Sequence, residues 1–199
     1  MNIFYLHEAP KTCAQMHCDK HVVKMIVEYA QLLSTAHRML DGHLTVGLSK
    51  TGRKQTRYVL PDSRESILYH ATHANHPSTK WVRDSYENYV WLYRMWFCLL
   101  REYTHRYGKI HKSQALADEL YVPPGNLQRK AFEQPWRAMP DEFKVGKDSL
   151  ASYRNYYVGA KARFAKWTKR ETPAWFTEML HTKDSTLNNE EVKTQYAEV

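Results

Sequence analysis

The stretch His17-Cys-Asp-Lys-His-Val-Val-Lys-Met-Ile-Val-Glu28-Tyr-Ala-Gln31 decides how the chain is read. Val22, Val23, Ile26, Ala30 and Leu33 recur at helical spacing and predict the buried stripe of an amphipathic helix. Glu28 lies close to that stripe, where a lone carboxylate is costly unless it is paired or used. Asp19, Lys20, His21 and Lys24 cluster just before it. An acid on a core helix beside basic residues points to chemistry on an anionic substrate.

Working outward, the chain is 199 residues, most simply one domain with enough length to bury a core without staples. With 14 Tyr, 6 Trp and only 7 Gly it reads as packed and globular rather than disordered. The net charge is +8; residues 181–199 hold two Lys against four acids, which leaves +10 on residues 1–180. The basic charge thus belongs to the expected body, and residues 181–199 read as a polar, flexible tail. Such a body suits polyanions, nucleic acid first and an anionic membrane surface second. Cys13, Cys18 and Cys98 form no recognisable disulfide framework and read as free thiols in a reducing cytosol. The first residues lack the basic region and apolar length of a signal peptide, and no segment has the apolar length of a membrane span. The expectation is a soluble, cytoplasmic protein.

The pattern predicts a mainly α, compact helical bundle with three long helices and a small basic β-hairpin or loop insertion. Residues 2–6 read as extended, able to lay the N-terminus on the body. Pro10 favours a helix start, with Thr12 or Asp19 as caps, and the first long helix runs to about Leu40 before Asp41-Gly42. Residues 44–60 alternate Thr, Val, Tyr and Leu, with Lys50, Arg53, Lys54 and Arg57 near the tip, as a hairpin does. Pro61-Asp-Ser63 opens a short helix to about His70. The longest helix is expected from Ser78 to Tyr107, a shorter one over 113–120, and a last long one over 148–169. Residues 127–147, with Pro135 and Pro140, read as irregular.

Cys13, His17 and His21 fall at i, i+4 and i+8, so one helix face presents all three. A zinc site draws ligands from separated elements, and no second Cys/His pair follows, so packing is the preferred reading and no metal is assigned. The final helix interleaves Tyr153, Tyr156, Tyr157, Phe164 and Trp167 with Arg154, Lys161, Arg163, Lys166 and Arg170. Cations meet phosphates and aromatic faces meet unstacked bases in nucleic-acid proteins. Buried rings under a solvated cationic face explain the same pattern equally well. No Gly-x-Ser-x-Gly, P-loop or Gly-x-Gly-x-x-Gly occurs, which speaks against common hydrolase and nucleotide-binding classes.

Three landmarks in order carry a likeness: Cys18-Asp-Lys-His-Val-Val-Lys-Met-Ile-Val-Glu28-Tyr-Ala-Gln-Leu-Leu-Ser-Thr35, Asn75-His-Pro-Ser-Thr-Lys-Trp81 opening a long helix, and Glu102-Tyr-Thr-His-Arg-Tyr-Gly108 with the closing run Lys169-Arg-Glu-Thr-Pro-Ala-Trp-Phe176. Together they resemble the pyrimidine-dimer DNA glycosylase (endonuclease V-type) family and its bacterial relatives. The likeness spans residues 1–176 but leaves residues 44–60 and 121–147 unexplained.

That resemblance implies a DNA-repair glycosylase with AP-lyase activity on damaged pyrimidines in double-stranded DNA, without metal or cofactor. In the family the α-amine at the chain start attacks C1′ of the damaged nucleotide, and a glutamate on the first helix moves protons. Carried over, these are Met1 and Glu28. Phage enzymes expose a small residue's amine once the initiator is removed; Asn2 is a poor context for removal, so the expected amine is that of Met1 itself. The expected DNA contacts are Lys20, His21, Lys24, Arg53, Lys54, Arg57, His76, Lys80, Arg154, Lys161, Lys166 and Arg170. No feature calls for an obligate protein partner, and a phage-infected bacterium is a compatible host. Two rivals stay open: a non-catalytic nucleic-acid-binding protein on the same scaffold, and a base- or nucleotide-modifying enzyme that leaves the strand uncut.

Overall fold

The computed structural model describes residues 1–48 and 51–183; the expected tail, apart from its first three residues, and Lys50 of the hairpin lie outside them. The described residues are mostly helical, with one two-stranded antiparallel sheet among them. In order come α1 (Pro10–Met16), α2 (Asp19–Asp41), β1 (His43–Leu48), β2 (Lys54–Val59), α3 (Arg64–Ile67), α4 (Pro77–Asp84), α5 (Tyr86–Tyr107), α6 (Ala117–Tyr121) and α7 (Ser149–Tyr156). A further helical stretch covers 174–183. No helix of the described residues is long and apolar enough to cross a membrane.

The core is the seam between α2 and α5, with α1 against α5 and α4 against α2. Val22, Met25, Ile26, Tyr29, Ala30 and Leu33 of α2 are buried, and Trp96 of α5 donates its indole N–H to the Ile26 carbonyl at 2.9 Å. Val23, expected in the stripe, is 44% exposed; the inward face turns on Met25 and Tyr29 instead. Beyond Ala30 helix α2 is enclosed nearly all round. Its end is fixed at Gly42, where a Cβ would run into the carbonyl oxygens of Arg38 and Val59. That close approach starts the hairpin, whose register pairs His43 with Val59 and Leu48 with Lys54.

Two of the three expected long helices are interrupted. The first is two helices, because His17 and Cys18 are extended. There the Cys18 N–H meets the Tyr157 hydroxyl at 3.1 Å and the Asp19 N–H meets the Lys166 carbonyl at 2.8 Å. Both are amide groups that a helix start leaves open. The second breaks at Ser85, whose hydroxyl accepts the Glu87 N–H and is itself directed at the Lys130 and Ala131 carbonyls. The Tyr86 N–H takes the Gln128 carbonyl at 2.8 Å. The irregular segment 127–133 is therefore stitched into the gap between α4 and α5, leaving α5 still 22 residues long.

The third expected long helix is a correction. Helix α7 has 8 residues, widens to a π turn over Tyr157–Lys161, and ends in a 3-10 turn. Gly159 permits this, since a Cβ there would collide with the Phe143 ring. The widened turn brings Tyr157 inward, with its hydroxyl on both Cys18 and His21. Among the described residues the bundle thus has two long helices, α2 and α5.

Candidate active site

Residues Ile3–Leu6 run buried, outside any helix or strand, and each anchor on them is a separate hydrogen bond. The Phe4 N–H donates to the Tyr29 hydroxyl at 3.1 Å, and the Cys13 thiol donates to the Phe4 carbonyl at 3.2 Å. Arg154 spends its guanidinium on the Leu6 carbonyl, through Nε at 3.0 Å and Nη2 at 2.9 Å. The Ser78 hydroxyl donates to the Met1 carbonyl at 3.3 Å. With its first six residues tied down in this way, the chain presents the Met1 nitrogen 3.9 Å from Oε2 of Glu28.

Glu28 sits on the rim of α2, one residue before the buried Tyr29, with its side chain 17% exposed. Its other oxygen faces Lys24 Nζ at 3.3 Å, one helical turn back. The landmark Asn75-His-Pro-Ser78 forms the opposite wall. Pro77 occupies the first turn of α4, and His76 caps it by accepting the Ser78 N–H on Nδ1 at 3.1 Å. Nε2 of His76 therefore carries the proton. Burial lowers the His76 pKa, and the nearby positive charges of the Met1 amine and of His73 lower it further. Met1, Lys24, Glu28 and His76 are thus brought together from three separate parts of the sequence.

Behind this rim lies a chain of neutral histidines. His17 donates from Nδ1 to the Cys13 carbonyl, so its Nε2 must accept from the Tyr29 hydroxyl at 2.8 Å. Burial pushes the His17 pKa down to about 4. His21, expected at phosphates, is 5% exposed, stacks on Phe4 with ring centres 4.2 Å apart, and accepts the Tyr157 hydroxyl on Nδ1 at 2.6 Å. Burial, reinforced by the neighbouring His17 ring and by the charges of Lys161 and Lys24, takes it to about 3. It is a neutral packing residue that positions Phe4. Cys13, His17 and His21 each point at a different partner, and among the described residues no three His, Cys, Asp or Glu side chains converge on a metal position.

The remaining expected contacts scatter. Lys20, Arg53, Lys54, Arg57, Lys80 and Lys166 are exposed. Lys20 lies over the Phe164 ring at 5.0 Å and Lys161 over Tyr156 at 4.5 Å. Arg57 holds Gln55 on the hairpin. Arg154 is occupied by Leu6, as above. Arg170 pairs with the buried Glu102, which also holds Arg106, and Arg106 reaches Asp19 at 2.9 Å. That ion network ties α5 to the start of α2 and shares no residue with the Met1 site. Sequence reasoning missed Tyr29, Tyr157 and Ser78 as positioning groups. Only Ser78 carried a signal, its place behind Pro77 at a helix start.

A family profile described as pyrimidine dimer DNA glycosylase matches residues 1–115. No curated protein and no solved structure gives a significant match. The matched segment holds Met1, Lys24, Glu28 and His76 together with α1 to α5, and stops before α7 and the 169–176 run. It covers more than half of the 199 residues, and the chain therefore belongs to the pyrimidine dimer DNA glycosylase family.

Proposed function

We propose that the protein excises damaged pyrimidines from double-stranded DNA and then nicks the strand, using the Met1 α-amine as nucleophile and Glu28 as proton carrier. The observation that carries this reading is the 3.9 Å between the Met1 nitrogen and the Glu28 carboxylate, whose side chain keeps 17% exposure at the edge of α2. Family membership supplies the DNA substrate, and the +8 net charge suits it.

In the proposed sequence the amine lone pair forms the N–C1′ bond while the glycosidic C1′–N bond breaks, and the base departs with that electron pair and a proton. The sugar ring then opens to an imine between Met1 and C1′. The Glu28 carboxylate removes a C2′ proton; the electrons form the C2′–C3′ double bond, the C3′–O bond breaks and the downstream strand leaves with a 5′-phosphate, after which water hydrolyses the imine and frees the Met1 amine. A carboxylate this close also stabilises positive charge developing at C1′. Lys24 orients Glu28, and Ser78 orients the peptide behind the amine. Extrusion of the nucleotide exposes C1′ to this rim.

The test is strand scission of ultraviolet-irradiated duplex compared with untreated duplex. Nicking confined to irradiated DNA supports the reading. Binding without nicking, or altered nucleosides on an intact strand, replaces it with one of the two rival readings.

A further inference from the structure

Away from the Met1 site, three cavities share walls along α1 and α5. The largest, about 720 Å³, lies among Tyr93, Arg94, Phe97 and Tyr121. Lys11 and Cys98 belong both to it and to a second of about 300 Å³, which reaches Arg101 and His105. Gln15 and Arg170 belong both to the second and to a third of about 490 Å³ beside Lys169 and Glu171. They form one groove, and none of Met1, Lys24, Glu28 and His76 lines it.

Its chemistry is consistent along its length. Arg94, Phe97, Cys98, Arg101 and His105 follow each other at three- and four-residue steps, so they occupy one stripe of α5. From Arg94 to His105 that stripe is about 16 Å long. Lys11, Arg94, Arg101 and Lys169 have no ion-pair partner among the described residues. Of the acids lining the groove, Glu102 is already neutralised by Arg106 and Arg170, which leaves Asp118 and Glu171. Between the cations lies an aromatic shelf: Tyr93 and Phe97 are near-parallel at 6.0 Å, and Tyr121, 70% exposed, abuts Tyr93 at 5.8 Å. Arg101 extends over Phe97 at 5.9 Å.

We infer that this groove binds single-stranded nucleic acid, its cations tracking phosphates and its rings stacking bases. Unneutralised cations select a polyanion. The rings select an unpaired strand, because a duplex covers its base faces and leaves nothing to stack on Phe97 or Tyr121. The length suits about four nucleotides, the lower end of single-strand sites. The assignment is independent of the Met1–Glu28 chemistry and stands or falls apart from it.

The experiment is fluorescence anisotropy of a labelled oligothymidylate of twelve nucleotides with the full chain, in wild type, Phe97→Ala/Arg101→Glu and Arg94→Glu/Tyr121→Ala. These side chains are at the surface and each variant is checked by thermal melting; either double variant suffices if the other melts early. The expected result is binding weakened about tenfold or more in the variants. The slope of log affinity against log salt should be shallower by about 0.7 for each cation removed. An iododeoxyuridine oligonucleotide should cross-link to peptides containing Phe97 or Tyr121. No binding, binding unchanged in both variants, or cross-links confined to the Met1–Glu28 rim would overturn the assignment. So would an acidic polypeptide binding as tightly as the oligonucleotide and indifferent to Phe97→Ala, which would reduce the groove to a charged docking surface.

Discussion

The Tyr29 hydroxyl accepts the Phe4 amide at 3.1 Å and, on its other side, donates to His17. Tyr29 follows Glu28 directly, so the residue that fixes the N-terminal segment and the carboxylate it faces share one turn of α2. Tyr29→Phe removes the oxygen and leaves two buried partners unmatched. Chemical denaturation should show a loss of about 1–3 kcal/mol. The rate of adduct formation with abasic DNA should fall further than the affinity for that DNA. An equal loss of rate and affinity would argue that Tyr29 has no positioning role.

Glu28→Gln keeps the shape of the site and removes its proposed base. Duplex binding should change little, because one carboxamide replaces one carboxylate beside Lys24. Strand scission should fall by about 100-fold or more, the usual weight of a general acid–base group. Full scission activity in this variant would remove Glu28 from the mechanism.

Three buried imidazoles give a specific acid sensitivity. Burial lowers the pKa of His17 to about 4, of His21 to about 3 and of His37 to about 4. Each is neutral in the folded protein, while in the unfolded chain it titrates near ~6.5. As pH falls through ~6.5 the unfolded state takes up protons that the folded state refuses, so stability drops at up to about 1.4 kcal/mol per pH unit for each histidine. The loss should extend down to about pH 4, and above neutrality these three histidines contribute no further change. Glu102, held low by Arg170 and Arg106 despite its burial, adds its own loss only below about pH 4.3. Urea midpoints measured between pH 8 and 4.5 test this; a midpoint constant across that range would contradict the neutral assignments.

Arg38 is 1% exposed and donates to the carbonyls of Tyr58, Glu65, Leu68 and Tyr69 and to the Glu65 carboxylate. It fastens the base of the hairpin and the 65–69 turn to α2, beside the Arg64 contacts to Asp41 and His37. Arg38→Met leaves four backbone carbonyls, of which the Leu68 one is buried, without this donor, and should cost about 1–3 kcal/mol. Amide exchange should rise first in β2. A loss below 1 kcal/mol would show that the hairpin is held elsewhere.

How far the sequence disclosed this arrangement depended on whether the determinant was local. The hairpin and the end of α2 at Gly42 follow from alternation and glycine and are where the residues indicate, while the short helix after Pro61 starts as expected but stops at Ile67 instead of reaching His70. The breaks at His17–Cys18 and Ser85 are made by Tyr157 and by the 128–131 carbonyls, groups far along the chain whose effect no periodicity records. The widened turn after α7 has the same origin, since Tyr157 is turned in toward Cys18 and His21. For the site, helical spacing singled out Glu28 as an anomalous acid, but its neighbour is 27 residues away in sequence and came only from family likeness. The cluster beside it misled for a related reason. His21 reads as a cation in sequence, and burial against Phe4 makes it a neutral spacer.

The proposed role of the Met1 nitrogen as nucleophile is tested by borohydride reduction during reaction with an abasic duplex. The expected product is a covalent protein–DNA adduct that tryptic mass spectrometry maps to the α-nitrogen of Met1, and that disappears when this amine is blocked by acetylation or by an added residue. An adduct on a lysine side chain, or an adduct undiminished by the block, would contradict it.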